Sequence, residues 1–224
     1  MSLKTKLTTV ACSVSLVFLF ACSPVAIPEL EPEPEPERPA IVASAQFDNL
    51  VCNHNFAQQQ LTSPPDIVEK ENNLIINGDT AGELIRSLIN TVPNNGTGQT
   101  RWEMKWSFNT GVGANGCSVS DVAAEVQVDY QLPLWPDQLL ASDRNLTEQW
   151  MKYSDELRAH HCRHGKTGID AAIEVKKSLQ AIAPSNNCRQ LEVDADSLAR
   201  NIVNRFKDQE AKFVSPSVSD YLRN

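Results

Sequence analysis

From Leu7 to Phe20 the chain carries no charge and is mostly apolar, and Lys4 and Lys6 precede that run. A cationic start before an apolar stretch too short for a comfortable membrane span is the pattern of a secretory signal. Past a polar, irregular arm at 41–73, which contains Pro64-Pro65, the residues Leu74, Ile75 and Ile76 predict a short strand. Thr80 with Glu83 forms a capping box, and Leu84, Ile85, Leu88 and Ile89 make one face of a helix that ends before Pro93. Trp102, Met104, Trp106 and Phe108 alternate with Arg101, Glu103, Lys105 and Ser107, a period of two that puts the aromatics on one face of a strand. Val122, Ala124, Val126, Val128, Tyr130 and Leu132 alternate in the same way. They predict a second long strand, antiparallel to the first, that ends at Trp135-Pro136.

Beyond Asp143 the period changes. Trp150, Tyr153, Leu157, His160, His164, Gly168, Ala171, Val175, Leu179 and Ile182 recur at three- and four-residue steps, which predicts one long helix with Gly165 or Gly168 as the place for a bend. After Pro184 a second helix carries Leu191, Ala195, Leu198, Ile202, Phe206 and Phe213 on one face. The expected class is therefore α+β: a short antiparallel sheet, one N-terminal helix, and a C-terminal hairpin of long helices bearing an H-x-x-x-H turn.

The apolar run closes on Leu19-Phe20-Ala21-Cys22, which resembles the bacterial lipobox. That resemblance implies cleavage after Ala21, removal of 1–21, and lipid on Cys22, with Ser23 in the position that favours outer-membrane sorting. Residues 22–40 then form a tether, because Pro28 to Pro39 reads PELEPEPEPERP and such a sequence stays extended. At about 3.1 Å per residue it spans roughly 35 Å. The expected location is the cell envelope, with the membrane as a partner through the anchor and the domain facing the periplasm.

Composition adds bounds. The chain beyond the tether, about 180 residues, suits one domain, read as 74–213 with a tail at 214–224. A formal net charge of −8 argues against a nucleic-acid partner. With Cys12 lost in the signal and Cys22 lipidated, Cys52, Cys117, Cys162 and Cys188 are left, and an even number in an oxidising compartment suits two disulfides. Cys162 lies about twenty residues, or roughly 30 Å, before the long helix ends near Cys188. A continuous helix thus excludes that pair and leaves two pairings open.

His160 and His164 stand four apart and fall on the apolar stripe of the long helix, where two imidazoles need something to satisfy their nitrogens. One metal ion, zinc by ligand type, would do so; an exposed histidine-rich turn is the competing reading. Cys52-x-His54 is a weaker pair and reads as incidental. No G-x-S-x-G elbow, phosphate loop or dinucleotide fingerprint is present, and the placement of the four tryptophans favours core packing over carbohydrate stacking.

Several landmarks occur in order: Gly78 before Glu83-Leu84, Arg101-Trp102 with Trp106, Cys117, Leu132-Pro133-x-Trp135, Trp150 with Tyr153, and Cys188. Over Leu74 to Phe213 the chain resembles a bacterial family of uncharacterised proteins described as predicted secreted zinc-dependent proteases. The resemblance implies an H-E-x-x-H helix, with His160 and His164 as zinc ligands and His161 in the position of the glutamate that activates water. It also implies Cys117 with Cys188 as the shared disulfide, and Cys52 with Cys162 as an added pair. The family's later histidine motif has no counterpart here, since no histidine follows His164. Asp208, Glu210 and Asp220 are the oxygen donors left for a third ligand.

Two functions lead, and a purely structural lipoprotein without metal, marked by solvent-exposed histidines, is a third. One is a degenerate relative, a pseudoenzyme that binds an envelope protein or peptide and retains a residual metal site. The alternative is an active zinc metallopeptidase with another base: Glu156, Asp155 or His161 itself. Loss of both the glutamate and the terminal histidine motif favours the first, because a general base is worth about two to four orders of magnitude in rate.

The anchor is directly testable. Membrane fractionation will find the wild-type protein in the membrane and Cys22→Ala released from it; a mutant that stays equally membrane-bound would remove the lipid assignment.

Overall fold

The computed structural model describes residues 51–52, 54, 63–139 and 143–222. The signal, Cys22, the tether and most of the 41–73 arm lie outside the described residues. Three strands and three principal helices follow in the order β1 (Asp66–Ile75), α1 (Ala81–Thr91), β2 (Gln99–Gly113), β3 (Gly116–Leu134), α2 (Arg144–Gln180) and α3 (Cys188–Glu210). The class is α+β, as the periodicity predicts.

β2 and β3 pair antiparallel across the Gly113–Gly116 turn, with a bulge between Ser107 and Asn109. β1 lies on the other side of β3, parallel to it, so the sheet is mixed and its order is β1-β3-β2. This corrects the expected all-antiparallel sheet. β1 also begins at Asp66 rather than Leu74, within the stretch read as irregular. Its inward positions carry polar groups that are satisfied individually: the Glu69 carboxylate accepts from Tyr130, and Glu71 takes a bidentate pair from Arg158 at 2.7 and 2.9 Å. An apolar alternation was therefore never there to read.

α1 starts where Thr80 Oγ1 accepts from the Glu83 backbone N–H at 3.3 Å and the Glu83 carboxylate accepts from that of Asp79 at 3.1 Å. These bonds satisfy donors that the first turn of a helix leaves open. α2 is capped by Asp143, whose carboxylate accepts from the Leu146 N–H at 3.1 Å, and it runs uninterrupted for 37 residues. The bend read as available at Gly165 or Gly168 is not used as a break in the helix. Both glycines are instead contact points: a Cβ on Gly165 would overlap the Tyr130 hydroxyl, and one on Gly168 would sit 2.6 Å from Trp102 Cγ. α2 thus lies nearly backbone-to-side-chain on β3 and β2.

The buried side chains form successive layers. Ile76, Leu84, Leu88, Trp135, Trp150, Tyr153 and Leu157 fill the space between α1 and the first half of α2. Val126, Val128, Tyr130, Leu132 and Ile169 fill that between sheet and mid-helix, and Val175, Leu179, Ala195, Ala199 and Ile202 join α2 to α3. Trp102, Trp135 and Trp150 are buried and Trp106 is partly so, packed under α3. Two disulfides staple the periphery. Cys117–Cys188 joins the start of β3 to the start of α3, and Cys52–Cys162 joins the segment before β1 to α2. Lys176, also buried, donates to Ser63 Oγ and the Pro64 carbonyl at 2.9 Å each and holds the entry to β1.

Gly165→Ala will destabilise the fold by about 1–3 kcal/mol or more, the cost of overpacking against an immobile ring. Gly82→Ala, whose Cβ meets nothing within 4 Å, will be neutral or stabilising by about 0.4–1 kcal/mol. Denaturant unfolding measures both; equal effects would contradict the close approach of α2 to Tyr130.

Candidate metal centre

Because α2 is pinned through Gly165 and Gly168, the preceding turn aims its histidines at Gly96–Thr100, the entry to β2, on one side and the end of α3 on the other. His160 and His161 are buried and His164 is half-buried. They border an open cavity of about 430 Å³ whose rim carries Lys207, Glu210, Phe213 and Ser215.

His161 is fully engaged. Its Nε2 lies 2.6 Å from the Thr97 carbonyl, which can only accept, so Nε2 carries the hydrogen and donates it. Nδ1 is then the acceptor, 2.8 Å from the Thr100 hydroxyl, which donates to it. Burial pushes its protonation down, against the opposing effect of the Thr97 bond. The ring is therefore a neutral brace between α2 and the loop, with no lone pair left for a metal or a water.

His164 is oriented differently. Its Nδ1 lies 2.7 Å from Glu210 Oε1, and a carboxylate accepts, so Nδ1–H donates and Nε2 keeps its lone pair. Glu210 is itself fixed by Trp102, whose indole N–H donates to Oε2 at 2.7 Å. A carboxylate behind an imidazole is the arrangement that sets tautomer and orientation in metal-ligating histidines. The Phe213 ring stands edge-on to His164 at 5.1 Å between centroids.

His160 Nε2 faces His164 Nε2 at 3.0 Å, with Ser215 Oγ 3.1 Å away. Burial, followed by the neighbouring His164, His161 and Arg163, pushes the His160 imidazole down to about 4. His160 Nδ1 is buried and has no hydrogen-bond partner among the described residues. Neither neutral tautomer satisfies this ring: one orphans a buried lone pair, and the other orphans a buried N–H while setting two lone pairs against each other. A cation between the Nε2 atoms resolves the second conflict. His160 and His164, with Nε2 atoms 3.0 Å apart, would hold such an ion, and imidazole nitrogens are donors that zinc accepts. The fit is partial, because His160 lacks an outer acceptor for Nδ1–H and only two nitrogen ligands converge.

The remaining expected residues fall elsewhere. Glu210 stands behind His164 as an orienting group, while Asp208 and Asp220 are exposed and do not border the cavity. Glu156 is exposed, and Asp155 lines a separate cavity of about 110 Å³ with Arg158. The sequence reading missed a buried cluster on the other side of α2. The Cys52, His54 and Glu69 ligand atoms lie within 4.8 Å of one another, the one such metal-capable group among the described residues, with the Cys52 sulfur held in its disulfide. Glu69 was hidden because its strand carries no apolar alternation, and no signal in the sequence marked it.

A short mixed sheet crossed by a long helix with an H-x-x-x-H pair, backed by a carboxylate from the following helix, defines a small α+β domain with a candidate metal centre. The chain belongs to the family described as bacterial protein of unknown function (DUF922), which matches residues 72–214. Neither curated proteins nor solved structures give a match.

Nitrogen-detected NMR of the imidazoles tests the assignments. His161 will report a neutral Nε2–H tautomer that zinc leaves unchanged, while the Nε2 signals of His160 and His164 move together. A zinc-induced shift at His161 Nδ1 larger than theirs would contradict the assigned roles.

Proposed function

We propose that this protein is a cell-envelope lipoprotein whose zinc-protease-like domain no longer hydrolyses peptides and serves as a binding module, with a residual metal site on His160 and His164. The observation that carries the reading is the state of His161. In an H-E-x-x-H enzyme the residue after the first histidine takes a proton from water and passes it on. Here that position holds an imidazole whose two nitrogens are both bound, to the Thr97 carbonyl and the Thr100 hydroxyl. No proton site is left on it. The other candidate bases, Asp155 and Glu156, do not face the cavity, which counts against the active-peptidase reading.

Zinc bound here would supply a positive charge and open coordination positions to a ligand. His160 and His164 would hold it, Glu210 would orient His164, and Lys207 at the rim would favour an anionic group on the bound partner. A carboxylate-bearing envelope peptide or protein suits that charge. The two disulfides support an oxidising, extracytoplasmic setting, in keeping with the lipobox-like N-terminus.

The test is zinc content and peptidase activity of protein purified without chelator or histidine tag. Wild type will hold zinc, His160→Ala with His164→Ala will lose it, and neither will cleave peptides. His161→Glu will restore measurable cleavage if only the base is lacking. Robust cleavage by wild type would overturn the degenerate reading, and zinc retained at full stoichiometry in the double variant would overturn the site.

A further inference from the structure

The cluster behind α2 goes beyond the cleft. Cys52, His54 and Glu69 precede the residues matched by the family, yet their side chains are enclosed: those of His54 and Glu69 are 3% and 0% exposed, and Cys52 is buried. Glu69 Oε1 accepts from His54 Nε2 at 2.8 Å and from the Tyr130 hydroxyl, and Oε2 accepts from the Cys52 backbone N–H at 3.2 Å. Burial raises the Glu69 carboxyl, but the bonds from His54, Tyr130 and Cys52 outweigh it and hold the group below its ordinary range. A carboxylate kept ionised in so dry a place, beside an imidazole and a sulfur, is a set of donors that zinc accepts.

We propose that Cys52, His54 and Glu69, joined by Cys162, form a second divalent-metal site that the Cys52–Cys162 disulfide keeps closed and that reduction opens. The sulfur, nitrogen and carboxylate atoms of the first three lie within 4.8 Å of one another, and the Cys162 sulfur is bonded to that of Cys52. A dithiol reductant supplies the two electrons: the S–S bond breaks, Cys52 and Cys162 gain two electrons and two protons as thiols, and the dithiol closes to its own disulfide. A divalent cation then displaces both thiol protons, and the His54 ring hydrogen moves to Nδ1 so that neutral Nε2 faces the ion, giving two sulfurs, one nitrogen and one oxygen around it. Four ligands of that kind make a closed tetrahedral site, and the thiolates select zinc or cobalt over magnesium and calcium. The Tyr130 hydroxyl, already on Glu69, would orient the carboxylate from outside. Reduction in the presence of metal therefore exchanges one clamp for another instead of freeing the segment before β1.

Cobalt(II) titration of the detergent-solubilised full chain tests this, in a His160→Ala, His164→Ala background so that the cleft contributes nothing. The oxidised protein will show no sulfur-to-cobalt charge-transfer absorption. After reduction with a phosphine, which adds no competing thiol, the absorption will appear and saturate at one added equivalent. His54→Ala will weaken that binding by at least about tenfold. Reduced, folded protein without the absorption, or with an affinity unchanged by His54→Ala, overturns the proposal. Should circular dichroism show that reduction unfolds the chain, Cys162→Ser supplies a free Cys52 thiol with the other disulfide intact. That variant will bind cobalt through sulfur, and its failure to do so when folded likewise overturns the site.

Discussion

Gly165 and Gly168 bring α2 so close to the sheet that the Tyr130 hydroxyl and the Trp102 ring occupy the space where side chains would otherwise stand. A helix seated at two points three residues apart cannot rotate about its axis without lifting off the sheet. Its rotation in turn decides where each of the three histidines one turn earlier must point. Trp102 serves twice, since the ring that receives Gly168 also donates from its indole nitrogen to Glu210 and so ties the end of α3 to the same contact.

From that rotation comes a division of labour among adjacent imidazoles. His161 is turned toward the entry to β2, where a carbonyl that can only accept and a hydroxyl that can donate leave it one neutral form. His164, three residues on, is turned toward Glu210 and keeps its other nitrogen free. His160 faces His164 across 3.0 Å with a buried Nδ1 that no described residue satisfies. A buried polar group without a partner is costly, typically about 1–3 kcal/mol, so the cluster makes little sense as packing alone. The Glu210 carboxylate behind His164 and the facing Nε2 atoms are what the proposed metal site would use.

Much of the fold was legible because its long elements obey simple periods. The Trp102-Met104-Trp106-Phe108 alternation marks β2, and the three- and four-residue steps from Trp150 to Leu179 mark α2. β1 was not legible over its first half, because its inward Glu69 is hydrogen-bonded by Tyr130 and His54, partners that a local sequence pattern does not show. The parallel course of β1 was hidden for a related reason, since chain order alone does not say which side of β3 an edge strand takes. At the site, the H-x-x-x-H spacing sufficed to select His160 and His164 as a pair. It could not select Glu210 over Asp208, a choice made only by how α3 packs on α2, nor reveal that Thr97 and Thr100 immobilise His161. The C-x-H pair at Cys52 likewise gains meaning only when β1 carries Glu69 beneath it.

The proposed site would hold zinc on His160 and His164, with His161 bonded to Thr97 and Thr100 instead. X-ray absorption at the zinc edge of the oxidised, zinc-loaded chain addresses it most directly. The expected result is scattering from two imidazoles, completed by light oxygen-type atoms and without sulfur. Three imidazoles around the ion would contradict it, because His161 would then be a ligand and its bonds to Thr97 and Thr100 could not stand.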